Sequence, residues 1–475
     1  VKSKIQLYFL LLLAGVFANL NGFALQSKIF GKAPEYNQSS IDLYIYHDFI
    51  TEEKVKLGAI HFGSDGSFQL NIETQSTILA MADFDGFQGM IYIEPGKSYE
   101  IVFPPKRNQT EAQKRNPFVK ADPIWFGIKN ADKNELNYQI QQFEQQYIIL
   151  ENQYFDQIYG NRSKQLVDSI KHRLDQLFPK SANQLLESHK LFRKANLDFA
   201  LNQAKSKDFM ETYFCSVKPV SNLNAYAVIF NQTFNNYFES LYTAASSKKF
   251  RAVIASTDLQ KLENYFKEEL HFNNELAHLV ILKSLNDAYY SKQFSKNSVL
   301  NLLNQVKSPL WNEYEQKIAK LIQSKLTYLS SGTEPPAIVL KSLSGQKINL
   351  SDFKNKYIYL HFTNLKNSIC RQHLDALKNT ANQFKDKLVI INVVSSNKDF
   401  RNESNWAGVF TVAETNIEAS YKVKTFPTSF LIGKDGRLLL SPAPNPLDGF
   451  DRQMGQILKS DYIKELQKTN SQLIK

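Results

Sequence analysis

A chain of 475 residues exceeds what a single hydrophobic core usually serves, so two to four domains are expected. With 43% hydrophobic and 22% charged residues it has the composition of folded protein, which excludes disorder as its main state. The net charge of +11 comes from lysines scattered among acids, densest at Ser246-Ser-Lys-Lys-Phe-Arg251; without a basic stripe a nucleic-acid binder is excluded, and a solvated basic surface drawn to an anionic membrane or partner fits better.

Lys2 and Lys4 precede the apolar run Ile5 to Ala18, and Gly22-Phe23-Ala24 offers small residues at the two positions a signal peptidase reads. The run is short for a bilayer crossing and no basic stop-transfer flank follows it. Residues 1–24 are therefore expected to be a cleaved export signal, with a retained anchor as the alternative. Their removal takes away two lysines and no acid, leaving an exported periplasmic or cell-envelope protein of net charge +9.

Residues 25–105 read as a β-sandwich-like domain. Ile41-Asp-Leu-Tyr-Ile-Tyr46, Ser67-Phe-Gln-Leu-Asn-Ile72 and Met90-Ile-Tyr-Ile-Glu94 alternate with period two, and Ser64-Asp65-Gly66 and Glu94-Pro95-Gly96-Lys97 supply turns. One apolar face per strand predicts small antiparallel sheets. Residues 106–330 read as a helical domain, poor in Gly and Pro. Phe143, Tyr147, Leu150, Tyr154 and Ile158 recur at helical spacing, as do Phe230, Phe234, Tyr237 and Leu241. Each stripe suits packing between helices; a groove for an extended partner is the alternative.

Ser330-Ser-Gly-Thr-Glu-Pro335-Pro336 breaks the helical pattern and opens the last region, 331–475. There the strand Tyr357 to Phe362 runs into Thr363-Asn-Leu-Lys-Asn367-Ser368-Ile369-Cys370-Arg371 and then a helical pattern. Lys387-Leu-Val-Ile-Ile-Asn-Val-Val394 is apolar apart from its first residue and Asn392, as suits a strand buried on both faces. Later come Phe426-Pro427-Thr428-Ser-Phe430-Leu-Ile432 and Lys434-Asp435-Gly436. This order resembles the TlpA/ResA-like branch of the thioredoxin-like family over about residues 333–460, with Ala337 to Lys354 as its opening hairpin. The turns of residues 25–105 resemble the β-domains that precede such domains in exported Bacteroidota proteins. The whole is expected to be a multidomain α+β chain: β-sandwich, helical middle domain, and C-terminal thioredoxin-like α/β domain.

The resemblance implies a Cys-x-x-Cys redox turn, and here its positions are Asn367-Ser368-Ile369-Cys370. Asn cannot attack a disulfide, but it is among the best helix N-caps. Lys366 stands where the family has Trp, Ser368-Ile369 replaces Gly-Pro, and Arg371 matches. Pro427 matches the family's cis-proline, which lines the substrate groove. The implied groove is Asn367, Ser368, Ile369, Arg371, Phe426, Pro427 and Thr428, holding an extended segment of another envelope protein or peptide.

Two cysteines, Cys215 and Cys370, cannot form a disulfide framework. Cys370 has three readings: a buried packing thiol, a lone nucleophile helped by Lys366, Arg371 and His373, or half of a disulfide with Cys215. The first function is thus a binding or scaffold module without dithiol exchange; the second is a monothiol oxidoreductase or isomerase with Cys370 as its catalytic residue. No cofactor is expected. His271, Glu275 and His278 fall at i, i+4 and i+7, a spacing that could bind zinc, but no second ligand cluster completes a site, so no metal is expected. Phosphate-loop, Gly-x-Ser-x-Gly and His-Glu-x-x-His motifs are absent from the sequence.

Overall fold

A computed structural model describes residues 25–107, 121–129, 131–201, 206–245, 247–307, 309–342, 345–353, 355–394, 407–413 and 417–473. The expected export signal, residues 1–24, lies outside them. The chain divides into two compact units, Val1–Gln323 and Ser324–Lys475.

Among the described residues, the first unit begins with nine strands: β1 Leu25–Lys32, β2 Ser40–Tyr46, β3 Lys54–His61, β4 Ser67–Thr74, β5 Ile78–Phe84, β6 Phe87–Ile93, β7 Ser98–Val102, β8 Asp122–Trp125 and β9 Gly127–Ile128. They form two sheets, of order β4-β1-β7-β9 and β3-β2-β5-β6-β8, around Phe62, Phe68, Phe84, Phe103 and Phe126. The predicted turn at Ser64-Asp65-Gly66 is present: Gly66 has φ +78°, and a Cβ there would sit 2.5 Å from the Pro34 Cα. Two features correct the expectation. β8 and β9 carry the sheets past residue 105, into the stretch assigned to helices. Also, β1 pairs with β7, and β6 with β8, in parallel. Phe126 explains the extension, because the loop between β8 and β9 delivers this ring to the core against Gly89, where a Cβ would lie 2.3 Å away.

The helical region is joined to this sandwich by an amide. Asn137, in the first turn of helix Leu136–Gln153, accepts from the Tyr92 N–H at 2.7 Å and donates to the Tyr92 carbonyl at 2.9 Å. Its side chain thus does for β6 what a neighbouring strand would. The aromatic stripes are packing surfaces: Phe143, Tyr147, Ile158, Phe230, Phe234 and Tyr237 are all buried. His271, Glu275 and His278 do not share a helix face. His271 has φ +59° and precedes the helix Asn274–Ala288.

His278 instead enters a buried cluster. Its Nδ1 lies 3.0 Å from Glu315 Oε1 and its Nε2 3.9 Å from Glu263 Oε2. Trp311 stacks on the imidazole at 3.8 Å and donates to Glu263 at 2.7 Å, while Lys267 stands 3.6 Å from Glu263. Burial alone would lower the His278 pKa, but the Glu263 and Glu315 carboxylates outweigh it and hold it above the usual 6.5. Its raised pKa makes this stabilisation complete below about 6.5 and lost as pH rises through the folded value. A urea-melt series is expected to show stability falling on the alkaline side, with Trp311 fluorescence brightening as the stacked imidazolium loses its proton. His278→Ala, which leaves two buried carboxylates facing each other, should cost about 3 kcal/mol and abolish both pH responses.

The second unit holds a seven-stranded sheet. Its strands are β10 Leu340–Ser342, β11 Lys347–Ile348, β12 Tyr357–Thr363, β13 Leu388–Val394, β14 Val409–Ala413, β15 Thr428–Ile432 and β16 Leu438–Ala443, in the order β11-β10-β14-β13-β12-β15-β16. β12, β13 and β14 are parallel, whereas β15 runs antiparallel to β12. Tyr357 and Tyr359 pack with the helices Ser368–Gln383 and Phe450–Leu473; Ile358, Leu360 and Phe362 pack on the opposite face. β10 and β11 form the expected opening hairpin, and the predicted breaker is docked rather than loose, since Gly332 and Thr333 exchange main-chain hydrogen bonds with Leu438.

Candidate functional site

β12 ends at Thr363 and is followed by a tight turn. Asn364 Oδ1 accepts from the Lys366 N–H at 3.0 Å, and the Asn367 N–H donates to the Asn364 carbonyl at 2.9 Å. Asn367 then caps the helix Ser368–Gln383: its backbone is extended, and its side-chain oxygen accepts from the Ile369 N–H at 2.9 Å. This satisfies one of the N–H groups that every helix start leaves open. The helix register follows from the cap. Ser368 and Ile369 face out, Ile369 being 54% exposed, whereas Cys370 faces the core and is 0% exposed. Arg371 turns back to donate to the Leu365 carbonyl at 2.8 Å.

Pairing of Phe362 with Thr428 brings Phe426 and Pro427 to the same end of the sheet as the Asn367 turn. The Phe426–Pro427 peptide is cis, and so is Ser441–Pro442, which sequence reasoning did not single out. Phe426, Pro427 and Thr428 are each half-buried. The main-chain register thus puts the Asn367 turn and the Pro427 turn at the same end of the sheet.

Beneath the turn lies a polar chain that the sequence reading missed. Along β12, His361 and Thr363 continue the face of Tyr357 and Tyr359. His361 Nδ1 is 2.9 Å from Ser429 Oγ, and Ser429 Oγ donates to Asn445 Oδ1 at 3.2 Å. Asn445 in turn donates to Asp448 at 3.2 Å. The serine hydroxyl has a single proton, given to Asn445, so His361 Nδ1 must donate and its Nε2 carries a lone pair. Burial, with a smaller contribution from His373, pushes the His361 pKa down to about 3, so the ring is neutral. His373, one turn after Cys370, is lowered by burial as well, against the opposing pull of Asp448. It therefore adds no positive charge to favour a Cys370 thiolate near neutral pH. The signal was available: His361 is a titratable residue inside a strand buried along its whole length.

Both cysteines are free, Cys370 buried and Cys215 half-buried, so the disulfide reading does not describe this structure. Burial, then the Glu211 carboxylate, raises the Cys215 thiol pKa. Among the described residues no group of three His, Cys, Asp or Glu side chains could hold a metal ion, and no helix is long and apolar enough to cross a membrane.

Residues 331–440 match the AhpC/TSA family. The thioredoxin-like protein YneN of Bacillus subtilis is 27% identical over 134 residues, which cover 26% of this chain and 76% of YneN. The thiol-disulfide oxidoreductase ResA of Bacillus cereus is 31% identical over 123 residues, covering 24% of this chain and 71% of that protein. For ResA of Bacillus subtilis the identity is 30%, and the chain spans 66% of its length. Among solved structures, the thioredoxin domain of a thiol-disulfide oxidoreductase from Bacteroides vulgatus is 25% identical, with 26% of this chain and 96% of that one covered and a TM-score of 0.24. Through its C-terminal unit the chain belongs to the ResA-type, thioredoxin-like thiol-disulfide oxidoreductase family.

Proposed function

We propose that this chain is an exported member of the family that lacks dithiol exchange and serves as a binding or scaffold module of the cell envelope. The observation that carries the reading is Asn367: a carboxamide caps the helix where the resemblance puts the attacking thiol. Exchange begins when a thiolate reaches a substrate sulfur, and a carboxamide has no such reactivity. Cys370, with no exposed surface, has no route to a substrate in this conformation. Asn367, Ser368, Ile369 and Arg371, with Phe426, Pro427 and Thr428, are then a recognition surface for an extended segment of another envelope protein or peptide.

A monothiol enzyme is the second reading, favoured by the place of Cys370 in the first turn of a helix, where the helix dipole stabilises a thiolate. The two readings separate on simple measurements. Purified protein is expected not to accelerate the reduction of insulin by dithiothreitol. Iodoacetamide should modify Cys215 slowly in the native protein, its thiol pKa being raised, and Cys370 only after denaturation. Insulin turnover that disappears in Cys370→Ser would establish the monothiol enzyme instead.

Asn367→Cys tests the turn itself. Losing the cap should cost about 1 kcal/mol, and the new thiol, one turn from Cys370, should close an intramolecular disulfide in air. Weak exchange activity should accompany it, because the flanking Lys366 and Ser368-Ile369 remain. Mass spectrometry that finds both thiols alkylated after denaturation of the oxidised variant would remove this assignment of the turn.

A further inference from the structure

The positive charge of this chain is unevenly shared. Residues 324–475 hold 21 Lys and Arg against 13 Asp and Glu, a net of +8 out of the chain's +11. Within that unit the two walls of the groove are more one-sided still. From Thr363 to Leu374 the chain carries Lys366 and Arg371 and no acid; from Ala419 to Gly433 it carries Lys422 and Lys424 and no acid. All four residues are exposed, although the Lys422 ammonium lies over the Tyr328 ring at 4.7 Å and Arg371 also donates to the Leu365 carbonyl. Of the acids that flank these segments, Glu418 is half-buried, Asp375 lies 3.1 Å from Lys378, Asp435 accepts from the Arg437 N–H, and Asp448 accepts from Asn445.

The same two turns also present apolar side chains. Ile369 is 54% exposed at the helix start, and Phe426 and Pro427 are half-buried on the other wall. The pairing of Phe362 with Thr428 places both walls at one end of the sheet. Apolar side chains carried on the same turns as exposed cations complement a chain that offers one large apolar side chain between carboxylates. A nucleic acid or other bare polyanion would use the cations and leave the apolar side chains uncovered.

Resting on the binding reading above, we propose that the groove selects an extended, acidic protein segment, its apolar side chain against Ile369 and Phe426 and its carboxylates toward Lys366, Arg371 and Lys424. Electrostatic attraction supplies the selection and the on-rate, and the apolar contact supplies the register.

Fluorescence anisotropy with three labelled peptides tests this, each with a central Leu flanked by Glu, Gln or Lys. The Glu-flanked peptide is expected to bind about tenfold more tightly than the Gln-flanked one at low salt, an advantage that fades at about 0.5 M salt. Replacing its Leu by Ser should weaken binding by about tenfold. Lys366→Glu/Lys424→Glu should reverse the preference toward the Lys-flanked peptide. An acid at position 366 precedes a helix N-terminus and favours the fold, and Lys424→Gln alone should still reduce the Glu-over-Gln advantage. Equal affinity for the Glu- and Gln-flanked peptides overturns the acidic selection while leaving the groove reading intact. Tight binding that ignores the Leu-to-Ser change overturns it as nonspecific charge attraction. Binding of none of the peptides removes the groove reading, and this proposal with it.

Discussion

One hydrogen bond, from the Ile369 N–H to the side-chain oxygen of Asn367, organises the end of the C-terminal sheet. It fixes where the helix begins and therefore which side chains point in or out. With Asn367 as the cap, Cys370 falls on the core side, Ile369 on the solvent side, and Arg371 within reach of the Leu365 carbonyl. A cap of this kind contributes about 1 kcal/mol. A thiolate at the same place would draw on the same N–H groups and helix dipole, and spend them on reactivity. The position can serve structure or chemistry, and an amide commits it to structure.

Two buried histidines show how partners, and not burial alone, decide charge. His361 and His278 are both almost without solvent contact. His361 meets a hydroxyl, so nothing offsets the cost of burying an imidazolium, and the ring is neutral. His278 meets two carboxylates and an indole face, and despite the same burial its pKa is held above the usual 6.5. The neutral ring stays beside the Ser429 hydroxyl on the neighbouring strand.

Much of the C-terminal unit was legible because its signals are local. A seven-residue run apolar at every position but Asn392 became β13, a strong capping residue became a cap, and Pro427 stood where a strand opens. The aromatic stripes of the middle region likewise reported their own burial. What escaped depends on partners distant in sequence. β8 and β9 are four and two residues long, too short for a period to show, and they exist because Phe126 completes a core built from strands before residue 105. His278 looked like one member of a helical row, yet its partners lie on two other helices, and His271 left the row through one left-handed residue. In the site, the chain from His361 to Asp448 crosses three segments, so only its buried starting residue was visible in sequence.

The amide of Asn137 has a wider meaning. By bonding both the N–H and the carbonyl of Tyr92, it turns the first turn of a helix into a surrogate edge for a buried strand. An isolated sandwich ending near residue 105 would lack β8, β9 and this substitute, leaving Tyr92 with two unmet main-chain groups in an apolar setting. The sandwich and the first helix are therefore separable on paper only: they form one heritable module, to be swapped, trimmed or fused as a single piece.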